Sequence, residues 1–198
     1  MRIVAGKWGG RTLRAPRGMA VRPTTDRVRE ALFSILGDRV EGRAVLDLFA
    51  GTGALSIEAM SRGASSAFLA EPDPDAFAAM SSNLASVGAA GAETFKGDFR
   101  KAIKRLSLHH RSFGLVFLDP PYGKGLAAAA AKALSGAGLL ADGALVVVEE
   151  ASRTPDASFP AGWDIIMDRR YGDTRVTIFE FAAPSSDGPE PGLEHQRP

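Results

Sequence analysis

The sequence predicts an α/β fold, a mostly parallel Rossmann-like sheet with helices on both faces, and three observations carry that expectation. From residue 44 onward, short apolar runs of strand length alternate with longer segments whose apolar residues recur at helical spacing. The joints between them hold what tight turns at the end of a strand require, paired glycines in one case and a proline-led helix start in another. The run Phe113–Leu118, broken only by Gly114, is apolar throughout, as befits a strand buried on both faces in mid-sheet.

The 198 residues suit one domain with a sizeable core. A hydrophobic content of 45% and a charged content of 24% exclude a fibrous or wholly disordered chain. With no Cys, a disulfide framework and thiolate metal sites are excluded, and His109, His110 and His195 lack partners at metal-ligand spacing, so no metal is expected. No apolar stretch resembles a signal peptide or a membrane span, and the chain reads as soluble and cytoplasmic.

Residues 1–21 are too rich in Gly and Arg for a helix. Arg2-Ile3-Val4-Ala5 and Arg11-Thr12-Leu13-Arg14 flank Gly6-Lys7-Trp8-Gly9-Gly10, which predicts a β-hairpin arm. Residues 1–30 carry eight basic and two acidic side chains, a surplus of six, so the remainder is net negative in a chain of total charge +1. This asymmetry points to a polyanion at that end, with Arg2, Lys7, Arg11, Arg14, Arg17 and Arg22 as the candidate contacts.

The main domain, 22–182, then follows in order. Thr24 or Thr25 can cap a helix in which Val28, Leu32, Ile35 and Leu36 share a face and Gly37 ends it. A strand over 44–49 leads through Gly51 and Gly53 into a helix over 54–62, and a second strand covers 67–70. Asp73 caps a helix that starts at Pro74 and stops at Gly88. A third strand over 92–95, a helix over 98–106, the strand at 113–118, an Ala-rich helix near 126–134 and a fifth strand over 144–149 complete the alternation. Apolar segments 163–167 and 175–181, separated by 169–174, predict a closing hairpin. Residues 183–198, with four prolines and little apolar surface to offset ordering entropy, are expected to be a disordered tail.

The chemistry lies at the strand ends. Strand 113–118 stops in Asp119-Pro120-Pro121-Tyr122; two prolines can neither donate to a ladder nor continue as a helix, so a carboxylate and a ring are fixed at the sheet lip. That pair suits a planar conjugated amine, whose N–H groups donate to Asp119 and the Pro120 carbonyl while its ring stacks on Tyr122. Asp47-Leu48-Phe49-Ala50-Gly51-Thr52-Gly53 allows a ligand to approach the backbone at a helix N-terminus. Glu71, followed by Pro72, lies where a carboxylate grips two ribose hydroxyls, and Gly97-Asp98 after the third strand adds a group able to read an adenine amine. A nicotinamide-dinucleotide site is the nearest rival, but it favours glycine where Ser56 stands, and a diphosphate seeks donors rather than an acidic lip.

These motifs, with Arg22-Pro23-Thr24-Thr25-Asp26-Arg27 and Tyr171-Gly172-Asp173-Thr174, resemble the bacterial RsmD-type methyltransferases over roughly residues 1–182. The resemblance implies a class I fold of seven strands with the last antiparallel, S-adenosylmethionine as cofactor, and methylation of a guanine exocyclic N2 in 16S ribosomal RNA, free or in a small-subunit assembly particle. It places Asp119, Pro120, Pro121 and Tyr122 at the reacting amine, and Asp47, Phe49, Ala50, Gly51, Gly53, Glu71, Pro72, Asp98, Phe99 and Asp119 around the cofactor. Two alternatives stand beside it: an enzyme acting on another base amine or a glutamine amide, and a non-catalytic ribosome-assembly factor.

Overall fold

Seven strands form one sheet in the order β3-β2-β1-β4-β5-β7-β6 in a computed structural model that describes residues 1–16, 23–155 and 159–183. The elements are α1 (Pro23–Leu36), β1 (Ala44–Asp47), α2 (Ala54–Ser61), β2 (Ser66–Glu71), α3 (Pro74–Val87), β3 (Ala92–Lys96), α4 (Phe99–Ser107), β4 (Phe113–Leu118), α5 (Leu126–Ser135), β5 (Leu140–Ala151), β6 (Trp163–Tyr171) and β7 (Thr174–Phe181). Strands β1 to β5 pair in parallel, and β7 enters antiparallel between β5 and β6. The chain reverses direction across the sheet between β1 and β4, so a crevice opens at their C-terminal ends.

Local signals fix most boundaries. Asp73 caps α3 through the N–H groups of Asp75 and Ala76, Pro74 occupies the first turn, and Gly88 ends the helix in the left-handed region at φ 73°. Asp98 caps α4 in the same way through Lys101 N–H. The differences from expectation have tertiary causes. The first strand ends at Asp47 rather than 49, because the backbone turns there into the glycine loop. After Leu36 the chain continues as a 3-10 turn over Gly37–Val40, whose Val40 is fully buried. The fifth strand runs from 140 to 151, extended to Ala151 by pairing with β7 and back to Leu140 by pairing with Phe113 of β4. The last hairpin turns on Gly172 and Asp173 alone, since Arg170 and Tyr171 still pair with Arg175 and Thr174.

One apolar layer joins α1, α2 and α3 to one face of the sheet, with Phe33 against Phe117 at 6.0 Å between ring centroids. The other layer packs α4 and α5 against Leu46, Phe68, Val116 and Val148. The N-terminal arm belongs to the first layer. Its hairpin reduces to a single bridge between Arg2 and Thr12, and Ile3, Trp8 and Leu13 are buried in the core. It is stapled to α2, where the buried Glu58 carboxylate accepts the N–H groups of Val4 and Ala5 at 2.7 and 3.1 Å. No helix among the described residues is long and apolar enough to cross a membrane. The expected tail from 184 onward, and the Thr24 and Thr25 side chains, lie outside the described residues.

Candidate active site

Each of the five parallel strands delivers one carboxylate to the C-terminal lip. In spatial order they are Asp98 after β3, Glu71 closing β2, Asp47 closing β1, Asp119 after β4 and Glu149 near the end of β5. Four were expected from the sequence; Glu149 was not. The signal was there, since it ends a parallel strand as the others do.

Asp47 is the innermost, 1% exposed. Ser56 Oγ donates to it at 2.8 Å and Phe49 N–H at 3.4 Å, yet burial pushes its carboxyl up to about 7. Ser56, which spoiled a dinucleotide motif in the sequence, therefore has a specific task as the fully buried donor to this acid. Above it, Gly51 and Gly53 turn the chain at φ 54° and 79°. A Cβ on Gly53 would come within 3.1 Å of Met80, whereas one on Gly51 would meet nothing within 4 Å, so the Gly51 backbone is open to a ligand. Ala50 is buried beneath the loop.

Glu71 bridges two loops, accepting Gly51 N–H and Asp73 N–H at 2.8 Å each, one on each oxygen. Each oxygen keeps a further lone pair for another donor. Pro72 is exposed beside it. Asp98 spends Oδ1 on capping α4 at 3.0 Å. The Phe99 side chain is 3% exposed and packs on Phe49, centroids 5.3 Å apart, so a ligand at the lip can meet only its backbone.

Asp119 differs from these. No hydrogen bond from a described residue reaches its side chain, and its carboxyl is held well above the usual range by burial, then by the charges of Glu149 and Asp47. Pro120 is buried and Pro121 exposed. The Tyr122 ring stands at the surface, tethered by its hydroxyl, which donates to Glu149 Oε1 at 2.9 Å and lies 3.2 Å from Thr174 Oγ1. Burial raises both the Tyr122 phenol and the Glu149 carboxyl, the latter opposed by the Tyr122 bond. Thr174 opens β7, so the 171–174 turn named in the sequence serves to anchor the ring.

The predicted polyanion contacts Arg2, Lys7, Arg11 and Arg14 are exposed, while Arg17 and Arg22 lie outside the described residues. Lys7 N–H donates to the carbonyl of Ser61, the last residue of α2, about 12 Å along the helix from the glycine loop at 1.5 Å per residue. The arm's two ends come nearer. Thr52 Oγ1 lies 3.6 Å from Met1 Sδ, and Asn83 ties the Arg14 backbone to the Thr52 carbonyl. Among the described residues no His, Cys, Asp and Glu cluster could hold a metal ion.

A family model described as "Conserved hypothetical protein 95" matches residues 1–180. The chain is 35% identical to Ribosomal RNA small subunit methyltransferase D of Escherichia coli K12, over 92% of its own length and 91% of the relative's. The chain belongs to this RsmD family. YlbH of Bacillus subtilis is 33% identical to it over 91% of this chain and 98% of that one. The solved structure of yhhF from Escherichia coli superposes with a TM-score of 0.83 at 36% identity, covering 93% of this chain and 99% of that one. The sheet order described above is thus the fold of class I methyltransferases.

Proposed function

We propose that this chain transfers a methyl group from S-adenosylmethionine to a base amine of small-subunit ribosomal RNA, and that the acceptor is the exocyclic N2 of a guanine. The observation that carries the reading is Asp119. It is a carboxylate at the sheet lip with no donor of its own, followed by the Pro120 carbonyl and a Tyr122 ring fixed from behind. The names of its relatives support the ribosomal RNA substrate.

The residues present fit the cofactor. The acidic lip favours a sulfonium cation over a diphosphate, the Gly51 backbone is open, and Glu71 retains lone pairs for two hydroxyls. Asp47, Phe49, Ala50, Gly53, Pro72 and Asp98 surround that place. When bound, S-adenosylmethionine supplies the electrophilic methyl group. The chain's part is to prepare the amine, whose lone pair is delocalised into the base. Asp119 and the Pro120 carbonyl accept its two N–H groups and turn the lone pair toward the methyl donor, while Tyr122 holds the base plane. The raised proton affinity of Asp119 also equips its carboxylate to take the proton the methylated amine sheds.

The test is mass spectrometry of small-subunit ribosomal RNA after incubation with enzyme and isotopically labelled cofactor. N2-methylguanosine carrying the label is expected. Label on another base, or on a protein glutamine, would overturn the guanine assignment. Glu71→Ala is expected to weaken cofactor binding in calorimetric titration by tenfold or more, because charge-assisted hydrogen bonds are roughly twice as strong as neutral ones. An unchanged affinity would remove Glu71 from the site.

A further inference from the structure

The Tyr122 ring is also one wall of a cleft of about 400 Å3 whose other lining residues are Ala151, Ser152, Arg153 and Asp173. A space of that size seats one nucleobase. Its walls are built rather than incidental. Ser152 N–H donates to the Asp173 carbonyl at 2.8 Å, which staples the exit of β5 to the β6–β7 turn. Thr154 N–H donates to the Ala151 carbonyl at 2.9 Å, closing a turn that presents Arg153. Both Arg153 and Asp173 are exposed, and neither side chain has a hydrogen-bond or ion-pair partner among the described residues. A free cation and a free carboxylate therefore face one aromatic-walled cleft that shares Tyr122 with the proposed acceptor-amine site.

We propose that this cleft receives the acceptor base and that Arg153 and Asp173 select guanine over adenine-like purines. The inference rests on the reading that guanine N2 is the acceptor. Guanine presents acceptors at O6 and N7 and a donor at N1, so an arginine fork pairs with the first two and a carboxylate with the third. Adenine reverses this at C6, where an amine would meet the guanidinium, and at N1, where a lone pair would meet the carboxylate. Tyr122, tethered at Glu149 and Thr174, offers the ring on which that base stacks.

The decisive substrate pair is guanine and 2,6-diaminopurine, each ligated at the acceptor position of small-subunit ribosomal RNA. Both carry an amine at C2, but the second replaces O6 by an amine and lacks the N1 hydrogen. The unmodified enzyme is expected to favour guanine in kcat/KM by roughly ten- to a hundredfold, the discrimination a bidentate pair provides. Arg153→Ala should bring the ratio close to one, chiefly by losing rate on guanine, and Asp173→Asn should narrow it. Thermal melting is expected to be unchanged in both variants, since neither side chain is packed. If Arg153→Ala slows both substrates equally, the residue holds a phosphate and the inference is overturned, as it is if the ratio survives in both variants. If the unmodified enzyme places no label on guanine N2, the functional reading falls and this inference with it; if it labels guanine but shows no preference over diaminopurine, the inference alone falls.

Discussion

Glu58 is a buried acid and Asp119 a half-buried one, and they meet opposite surroundings. The Glu58 carboxylate, 0% exposed, accepts from Val4 N–H, Ala5 N–H and Arg62 Nε, with Arg29 Nε 3.9 Å away. Two of those bonds tie the N-terminal arm to α2, and the third comes from the end of the same helix. Asp119 accepts nothing from the described residues and faces two further acids, Glu149 and Asp47. A buried charge that is fully partnered holds a fold together, while one left without donors is a cost that the fold sustains elsewhere. The first site builds the domain; the second keeps its hydrogen-bonding capacity for a substrate.

The sharpest way to break this contrast is to remove each acid in turn. Asp119→Ala is expected to lower kcat by about a hundredfold or more, the scale of a positioned proton-accepting group, with no loss of melting temperature. Glu58→Ala should do the reverse. Removing one partner of a buried ion pair costs about 3–5 kcal/mol, or roughly 6–20 °C in Tm for a domain of this size, and residual folded enzyme should turn over normally. If both variants lost stability alike, the distinction between the two acids would disappear.

Asp47 sharpens it through pH. Its folded-state pKa of about 7 lies above the unfolded value of 3.8, so the folded state binds the extra proton and stability falls as pH rises through that interval. Asp47→Asn is therefore expected to raise Tm at pH 8, by an amount on the order of a few kcal/mol in stability, and to change little at pH 4. Thermal melts across that range check it.

Glu149→Gln is a subtler test. The amide still accepts the Tyr122 hydroxyl, but being neutral it removes one of the two negative charges that lift Asp119. Because Asp119 must be ionised to accept the amine, the acid limb of the kcat/KM profile should move to lower pH. An unmoved limb would separate Glu149 from Asp119.

The smallest effects belong to the arm's surface. Removing residues 1–16 would take Ile3, Trp8 and Leu13 out of the core and strip Glu58 of two donors, so truncation should unfold the domain rather than isolate an RNA function. The charges are tested one by one instead. Arg2→Ala and Arg14→Ala, near the lip end of the arm, should each flatten the log–log salt dependence of RNA binding by about 0.7 if each neutralises one phosphate on a single strand. Lys7→Ala, at the far end of α2 and over the Trp8 ring, should leave it unchanged.

The elements were legible in the sequence because their determinants are local. A cap at Asp73, a stop at Gly88 and an apolar run at 113–118 each act within a few residues, and all three stand where the pattern put them. The acids at the ends of β1 to β4 were legible for the same reason: each follows its own strand directly. The arm's docking was not, because Glu58 reads in sequence as one more charge on a helix and its donors lie 54 and 53 residues away.

By itself, then, the chain's order of residues determined the alternation of strands and helices, the glycine loop and the Asp119-Pro120-Pro121-Tyr122 lip. Only the tertiary structure decided what stands behind and beside that lip. Inserting β7 between β5 and β6 brings Thr174 to Tyr122 across 52 residues and sets the Asp173 turn against Ser152 and Arg153. Such contacts follow from strand order and pairing register, which arise from burying two whole sheet faces at once and leave no local mark on the residues they bring together.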